Sequence, residues 1–189
     1  MSTESLDDTL TEAELKMVAA VDHTRNEFAK IRTGRANPQL ITDLPVEYYG
    51  THTPLQQLAG VSVPEPRMLL VTPYDRSAMK EIERAISMSD LGLNPSNDGQ
   101  VVRVVFPELT EERRKQFVRL ARERAEEGRI GIRSTRRSAR SVIAKLADDG
   151  AIGNDEAQRT ENRLQDLTDR YVAEIDGLLA NKEKELLEV

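Results

Sequence analysis

The chain has 189 residues, 38% hydrophobic and 32% charged, with a formal net charge of −6, no cysteine and no tryptophan. This excludes disulfides, thiol chemistry and cysteine-based zinc sites, and with three Phe and four Tyr the core must be largely aliphatic. No apolar run is long enough to span a membrane, and the acidic start MSTESLDDTL excludes a secretory signal and argues against an organellar transit peptide, so a cytoplasmic protein is expected.

The first helix is predicted from Leu10-Thr11-Glu12-Ala13-Glu14-Leu15. Thr11 and Glu14 have capping-box spacing, and Leu10 can staple onto Leu15. Met17, Val21, Thr24, Phe28 and Ile31 then recur at helical spacing, with Leu15 and Val18 beside them. A stop is expected near Thr33-Gly34, where glycine can take the left-handed conformation that ends helices, with Pro38 shortly beyond. His23 has no second His or Cys at ligand spacing and reads as a surface residue.

From Gly34 to Pro107 the pattern changes, and all eight prolines fall in this segment. Val46–Tyr49, Val61–Val63, Met68–Val71 and Val101–Val105 read as strands separated by turns. Asp75 is a plausible cap for a helix over Arg76–Met88, with Met79, Ile82 and Ile86 facing a sheet. The stretch from Asp90 to Gly99 is rich in turn formers and reads as a long loop.

Thr110–Leu146 contains no proline and predicts one continuous helix, on the order of 55 Å long at 1.5 Å per residue. Between Arg113 and Lys145 it carries twelve Lys/Arg and three Glu, a net of +9, against −6 for the whole chain. At 100° per residue, Lys115, Arg119, Arg122, Arg129, Arg133, Arg136, Arg137 and Arg140 share one arc. Phe117, Leu120, Ala121, Ile132, Ala139, Val142, Ile143 and Leu146 lie on the other side. A cationic stripe on an otherwise acidic protein repels itself unless an anion meets it, which points to a polyanionic partner. Gly128 and Gly131 interrupt this helix on its apolar side, where close approach of a neighbouring helix is the structural explanation.

Asp148-Asp149-Gly150 ends the central helix, and a third follows from Asp155 to about Glu188, with Asn154 as a possible cap. Leu164, Leu167, Tyr171, Ile175, Leu178 and Leu186 mark its apolar face. The expected architecture is α+β. Residues 1–33 and 108–189 form an elongated antiparallel three-helix bundle, and 34–107 form a small inserted α/β domain. Thr33, Gly34, Phe106 and Pro107 then form a two-stranded hinge between two arms.

No catalytic constellation is present in the sequence: there is no phosphate-binding loop, no dinucleotide fingerprint and no nucleophile elbow, and His23 and His52 are the only imidazoles. Neither a cofactor nor a metal is expected. The pattern leaves three classes open: an RNA-binding factor, a helical protein that docks other proteins, and an enzyme built on the loop after Asp90.

Several motifs act together to narrow this. Lys30-Ile31-Arg32-Thr33-Gly34-Arg35-Ala36, Val46-Glu47-Tyr48-Tyr49-Gly50-Thr51 with Thr53-Pro54-Leu55 and Gln57-Leu58-Ala59, and Asp90-Leu91-Gly92-Leu93-Asn94-Pro95 come first. Leu109-Thr110-Glu111-Glu112-Arg113-Arg114 and Ile132-Arg133 with Arg136-Arg137 follow. In this order the set closely resembles the ribosome recycling factor family over nearly the whole chain. The resemblance implies an L-shaped, transfer-RNA-like outline and binding to the 70S ribosome through large-subunit rRNA. It also implies action with elongation factor G and GTP to split post-termination ribosomes, releasing mRNA and tRNA, without catalysis by the chain itself. A monomer is expected. By position, Arg136 matches the arginine on which the family most depends, with Arg129, Arg133 and Arg137 as neighbouring RNA contacts and Arg140 on the same arc. Arg32 and Arg35 fall in the first motif, where the resemblance implies RNA contact or a role at the junction. Ser134 and Ser138 stand where the family commonly has Asn and Asp, and a few extra residues precede the first helix.

Overall fold

The computed structural model describes residues 2–188. In chain order they form α1 (Ser2–Ala29), a short α2 (Gln39–Thr42), β1 (Pro45–Tyr48), β2 (Thr51–Pro54), a one-turn α3 (Leu55–Leu58), β3 (Ala59–Glu65) and β4 (Met68–Pro73). A 3-10 turn at Arg76–Ala78 leads into α4 (Met79–Ser87), followed by β5 (Asn94–Asn97), β6 (Val102–Val105), α5 (Glu111–Asp148) and α6 (Asn154–Leu187). Long helices packed together, with a small antiparallel sheet, give the expected α+β class. The chain divides into two compact units: Met1–Phe28 with Val118–Glu183, and Ala29–Phe117 with Lys184–Val189. No helix among the described residues is long and apolar enough to cross a membrane.

In the first unit, α1 buries Leu6, Leu10, Ala13, Met17, Val21, Thr24 and Phe28, a stripe repeating every three or four residues. This stripe corrects the expected helix start. Leu6 is buried like the rest of the stripe, so the helix runs through Thr11 instead of being capped by it, and Leu15 is 66% exposed and staples nothing. The extra N-terminal residues from Ser2 on are therefore part of α1. The expected C-terminal stop also differs: α1 ends at Ala29, and Gly34 is not among the glycines with positive φ.

Four contacts set the direction of packing. Gly128 of α5 lies against Thr24, and Gly131 lies near Ala20, so α1 and α5 run antiparallel. Tyr171 Oη donates to Glu14 Oε1 at 2.7 Å, and Arg163 pairs with Asp7 at 3.2 Å, so α1 and α6 run parallel. The α6 stripe includes Thr160, Thr168 and Lys182 among its apolar members. Each buried threonine hydroxyl on this helix donates to the carbonyl four residues earlier, which removes the cost of burying it. Lys182 fills the gap between Leu178 and Leu186 that the apolar pattern leaves.

In the second unit β3-β4-β6-β5 form an antiparallel sheet, and β1 and β2 form a separate hairpin. Met79, Ile82 and Ile86 of α4 join Leu69, Val71, Val102, Val104 and Phe106 in one aliphatic core. Asp75 accepts from Ser77 N at 2.9 Å, the expected cap, and also from Tyr48 Oη at 2.8 Å. The hairpin turn is Tyr49-Gly50, with φ of 48° and 76°; positive φ at both positions matches the right-handed twist of the strands. Two strands lie outside the sequence expectation. Thr51–Pro54 pairs with β1, and Asn94–Asn97, read as loop, pairs with β6 from Asn94↔Val105 to Asn97↔Val102. Pro95 is tolerated because β5 is an edge strand, where a missing N–H can face away from the ladder.

A Cβ on Gly128 would overlap Thr24 Oγ1 and lie 2.8 Å from Ile175 Cδ1, whereas one on Gly131 would meet only Ala20 Cβ at 3.9 Å. Gly128→Ala is expected to destabilise the protein by about 1–3 kcal/mol from overpacking. Gly131→Ala is expected to stabilise it by up to about 1 kcal/mol through helix propensity. Urea unfolding of the two variants checks the opposite signs. Asp75 is held below its ordinary value of 3.8 by the Ser77 backbone N–H first and Tyr48 next. Its contribution is therefore complete above that value and lost as pH falls through the lowered one. The stability difference between the natural protein and Asp75→Ala should be full at neutral pH and narrow in acid, measured by urea titration at stepped pH.

Candidate nucleic-acid interface

Thr110 starts α5 by accepting from Arg113 N at 3.2 Å, and the helix then continues for 38 residues without a break. Ala121, Ala125, Gly128, Ile132, Ala139 and Ile143 are buried, while Val142 is 45% exposed. These positions turn the arginine arc partly onto α6 and partly to solvent, and the two halves differ in chemistry.

Along the α6 side, arginines meet acids. Arg122 Nε donates to Glu183 at 2.6 Å, Arg129 Nε to Asp176 at 2.7 Å, and Arg140 Nε lies 3.3 Å from Glu161. Position numbers rise on one helix as they fall on the other, so this ladder also shows that α5 and α6 run antiparallel. Arg129 donates in addition to Glu126 at 2.8 Å, and its side chain is only 18% exposed. Burial opposes its charge, but the Glu126 and Asp176 bonds outweigh burial and hold the guanidinium above its ordinary value. Arg129 is therefore fastened and largely neutralised, not displayed as the sequence arc implies.

Arg136 differs from these three. Its Nη1 donates to Gln165 Oε1 at 2.7 Å, a neutral acceptor, and its Nε is buried without a partner. It is half-buried, which corrects the solvent-facing position read from the helical wheel. A polar groove between α5 and α6 runs past it, lined by Arg140, Gln158, Glu161, Asn162 and Gln165. Further round the arc, Arg133 is exposed and pairs only loosely with Glu126 at 3.4 Å. Arg137 is exposed and has no side-chain ion pair among the described residues. Arg133, Arg136 and Arg137 are thus cations on this helix whose charge the protein does not fully cancel, and Arg119, exposed and without an ion pair among the described residues, is another on the same arc. The neighbours that sort them, Gln165, Asp176 and Glu161, lie on another helix and carry no signal in the α5 sequence.

Arg32 and Arg35 belong to the second unit. Arg32 Nη2 donates to the Pro107 carbonyl at 2.7 Å, its guanidinium lies over the Phe106 ring at 5.9 Å, and its Nε is buried without a partner. Burial, and then repulsion from Arg113, lower its pKa from the ordinary arginine value. Arg35 is exposed and pairs with Glu188 at 3.0 Å. Thr33 is buried and accepts from Arg35 N at 3.2 Å, and Phe106 is fully buried with its N–H on the Arg67 carbonyl at 2.7 Å. Arg32, Phe106 and Pro107 are thus joined in this unit, and Thr33 is bonded to Arg35 beside them.

Because Arg129 is fastened by two carboxylates and Arg137 by none, Arg129→Gln should lower stability by roughly 1 kcal/mol. Arg137→Gln should stay within about 0.5 kcal/mol of the natural protein. Thermal melts at low and high salt check this, with the Arg129 effect shrinking at high salt.

The ribosome recycling factor family model matches residues 24–187. The chain is 54% identical over 184 residues to the ribosome-recycling factor of Streptomyces avermitilis and 55% identical to that of Thermobifida fusca. In each case 97% of this chain and 100% of the relative are covered. A solution structure of the ribosome recycling factor superposes with a TM-score of 0.78 at 43% identity, covering 97% of this chain and 98% of the other. A second, at a TM-score of 0.69 and 46% identity over 97% and 99% of the two chains, is the T. thermophilus factor. It is described together with E. coli elongation factor G bound to the E. coli post-termination complex. The arginine-bearing three-helix unit and the small antiparallel sheet unit are thus matched end to end in sequence and in fold, and the chain belongs to the ribosome recycling factor family.

Proposed function

We propose that the protein recycles ribosomes after termination: bound to the 70S ribosome, it acts with elongation factor G and GTP to part the subunits and release mRNA and tRNA. The observation that carries the RNA contact is the set of Arg133, Arg136 and Arg137, three cations on one helical arc that are not fully neutralised by the protein itself. The relative described on the post-termination complex with elongation factor G supports the choice of partner. In this reading the bundle of residues 1–33 and 108–189 docks on phosphates of large-subunit rRNA, and affinity comes from counterion release. The inserted segment 34–107 receives the push of the elongation factor and moves about Thr33-Gly34 and Phe106-Pro107. Arg32 and Arg35 brace the chain beside these positions, where the acceptors they meet are Pro107 and Glu188. The chain itself breaks no bond; the GTPase is the partner.

The neutralised arginines reduce the number of phosphates engaged. With about four contacts, ribosome affinity should fall with salt at a log–log slope of roughly −3 to −4. Arg137→Glu should leave the melting curve unchanged and abolish the rise in free subunits on sucrose gradients of post-termination ribosomes supplied with elongation factor G and GTP. Full activity of that variant removes the arginine face from the mechanism. No rise in free subunits with the natural protein, over a control lacking it, defeats the functional reading as a whole.

A further inference from the structure

We propose that Gln165 is a positioning residue for Arg136, which it aims without neutralising, and that Asp169 sets the orientation of its amide. The inference rests on the reading of Arg136 as an rRNA contact. Three of the α5 arginines that face α6 meet a carboxylate: Arg122 meets Glu183, Arg129 meets Asp176 and Arg140 meets Glu161. At the rung between Arg129 and Arg140 the acceptor is an amide instead, Gln165 Oε1, 2.7 Å from Arg136 Nη1. A carboxylate there would cancel the cation; an amide fixes the guanidinium and leaves its charge whole.

An amide can present either its oxygen or its nitrogen, so something must turn it. Gln165 Nε2 donates to Asp169 Oδ1 at 2.8 Å, one helical turn further along α6, and this bond commits the oxygen to the arginine. Of the three nitrogens of Arg136, Nη1 is taken by Gln165 and Nε is buried, which leaves Nη2 for an outside acceptor. The unpartnered Nε is a standing cost of holding the side chain half-buried, as expected where the position serves binding more than stability. The acid of the relay is bonded to the amide and makes no ion pair with Arg136 among the described residues. The same helix thus supplies carboxylates where arginines are structural and a neutral acceptor where one is kept for a ligand.

The test uses the full chain and large ribosomal subunits, with binding measured over a salt series and melting measured alongside. Gln165→Glu turns the rung into an ion pair. It should melt at or above the natural temperature, bind about tenfold more weakly, and show a log–log salt slope shallower by about 0.7–0.9, one phosphate fewer. Gln165→Leu keeps the charge but loses the aim, and should bind severalfold more weakly at an unchanged slope; Asp169→Ala should do the same to a lesser degree. A structural role alone moves the melting temperature and leaves the slope alone. Natural affinity and slope for Gln165→Glu, with Arg136→Gln impaired, overturn the positioning role and spare the RNA contact. Natural affinity for Arg136→Gln as well removes the underlying reading. If Gln165→Glu does not fold, Gln165→Leu decides: natural affinity overturns the proposal.

Discussion

The packing of α5 against its two neighbours is the constraint on which the helical unit depends. Its buried strip is built mostly from Ala121, Ala125, Gly128 and Ala139, with Ile132 and Ile143, so α1 comes close enough for Thr24 to occupy the space a Cβ at Gly128 would take. Small residues bring backbones together, and close backbones leave little freedom in rotation. Once α5 cannot turn about its axis, the direction in which each arginine points is fixed. A looser strip of leucines would bury more area and specify less.

That fixed rotation sorts one arc of similar residues into two populations. Arginines on the α6 side spend their charge on Glu161, Asp176 and Glu183, tying two long antiparallel helices into one register. Arginines further round meet solvent. Most of the bridges are exposed enough that each adds little stability, so their larger effect is on where cations remain rather than on how firmly the helices hold. The acids of α6 and of the rest of the chain keep the whole at −6 while α5 preserves a small positive face. Such a surface discriminates against polyanions in general and admits one that fits the face.

The sheet unit shows where local signals suffice and where they do not. Asp75 and the Met79, Ile82, Ile86 spacing are local signals, and both features stand where the sequence places them. Asn94–Asn97 has the composition of a turn and becomes a strand only because β6 offers it a ladder. The start of α1 fails for a related reason. Thr11 and Glu14 carry a good capping pattern, but Leu6 and Leu10 gain more by being buried than a cap at Thr11 contributes.

The sequence by itself determined the α+β class, the continuity of α5, the arginine arc and the family, because each depends on periodicity or on motifs that are local in the chain. It also located a close helix approach at Gly128, although it could not separate Gly128 from Gly131, whose environment is roomy. Tertiary structure alone decided which arginines are free. Arg129 and Arg136 are seven residues apart on the same face of one helix, yet one is held by Glu126 and Asp176 and the other by Gln165. The difference lies mainly in side chains 29 and 47 positions away along the chain. The charge of an arginine is set by its own chemistry, but its availability is set by what packs beside it, and only the folded chain brings those groups together.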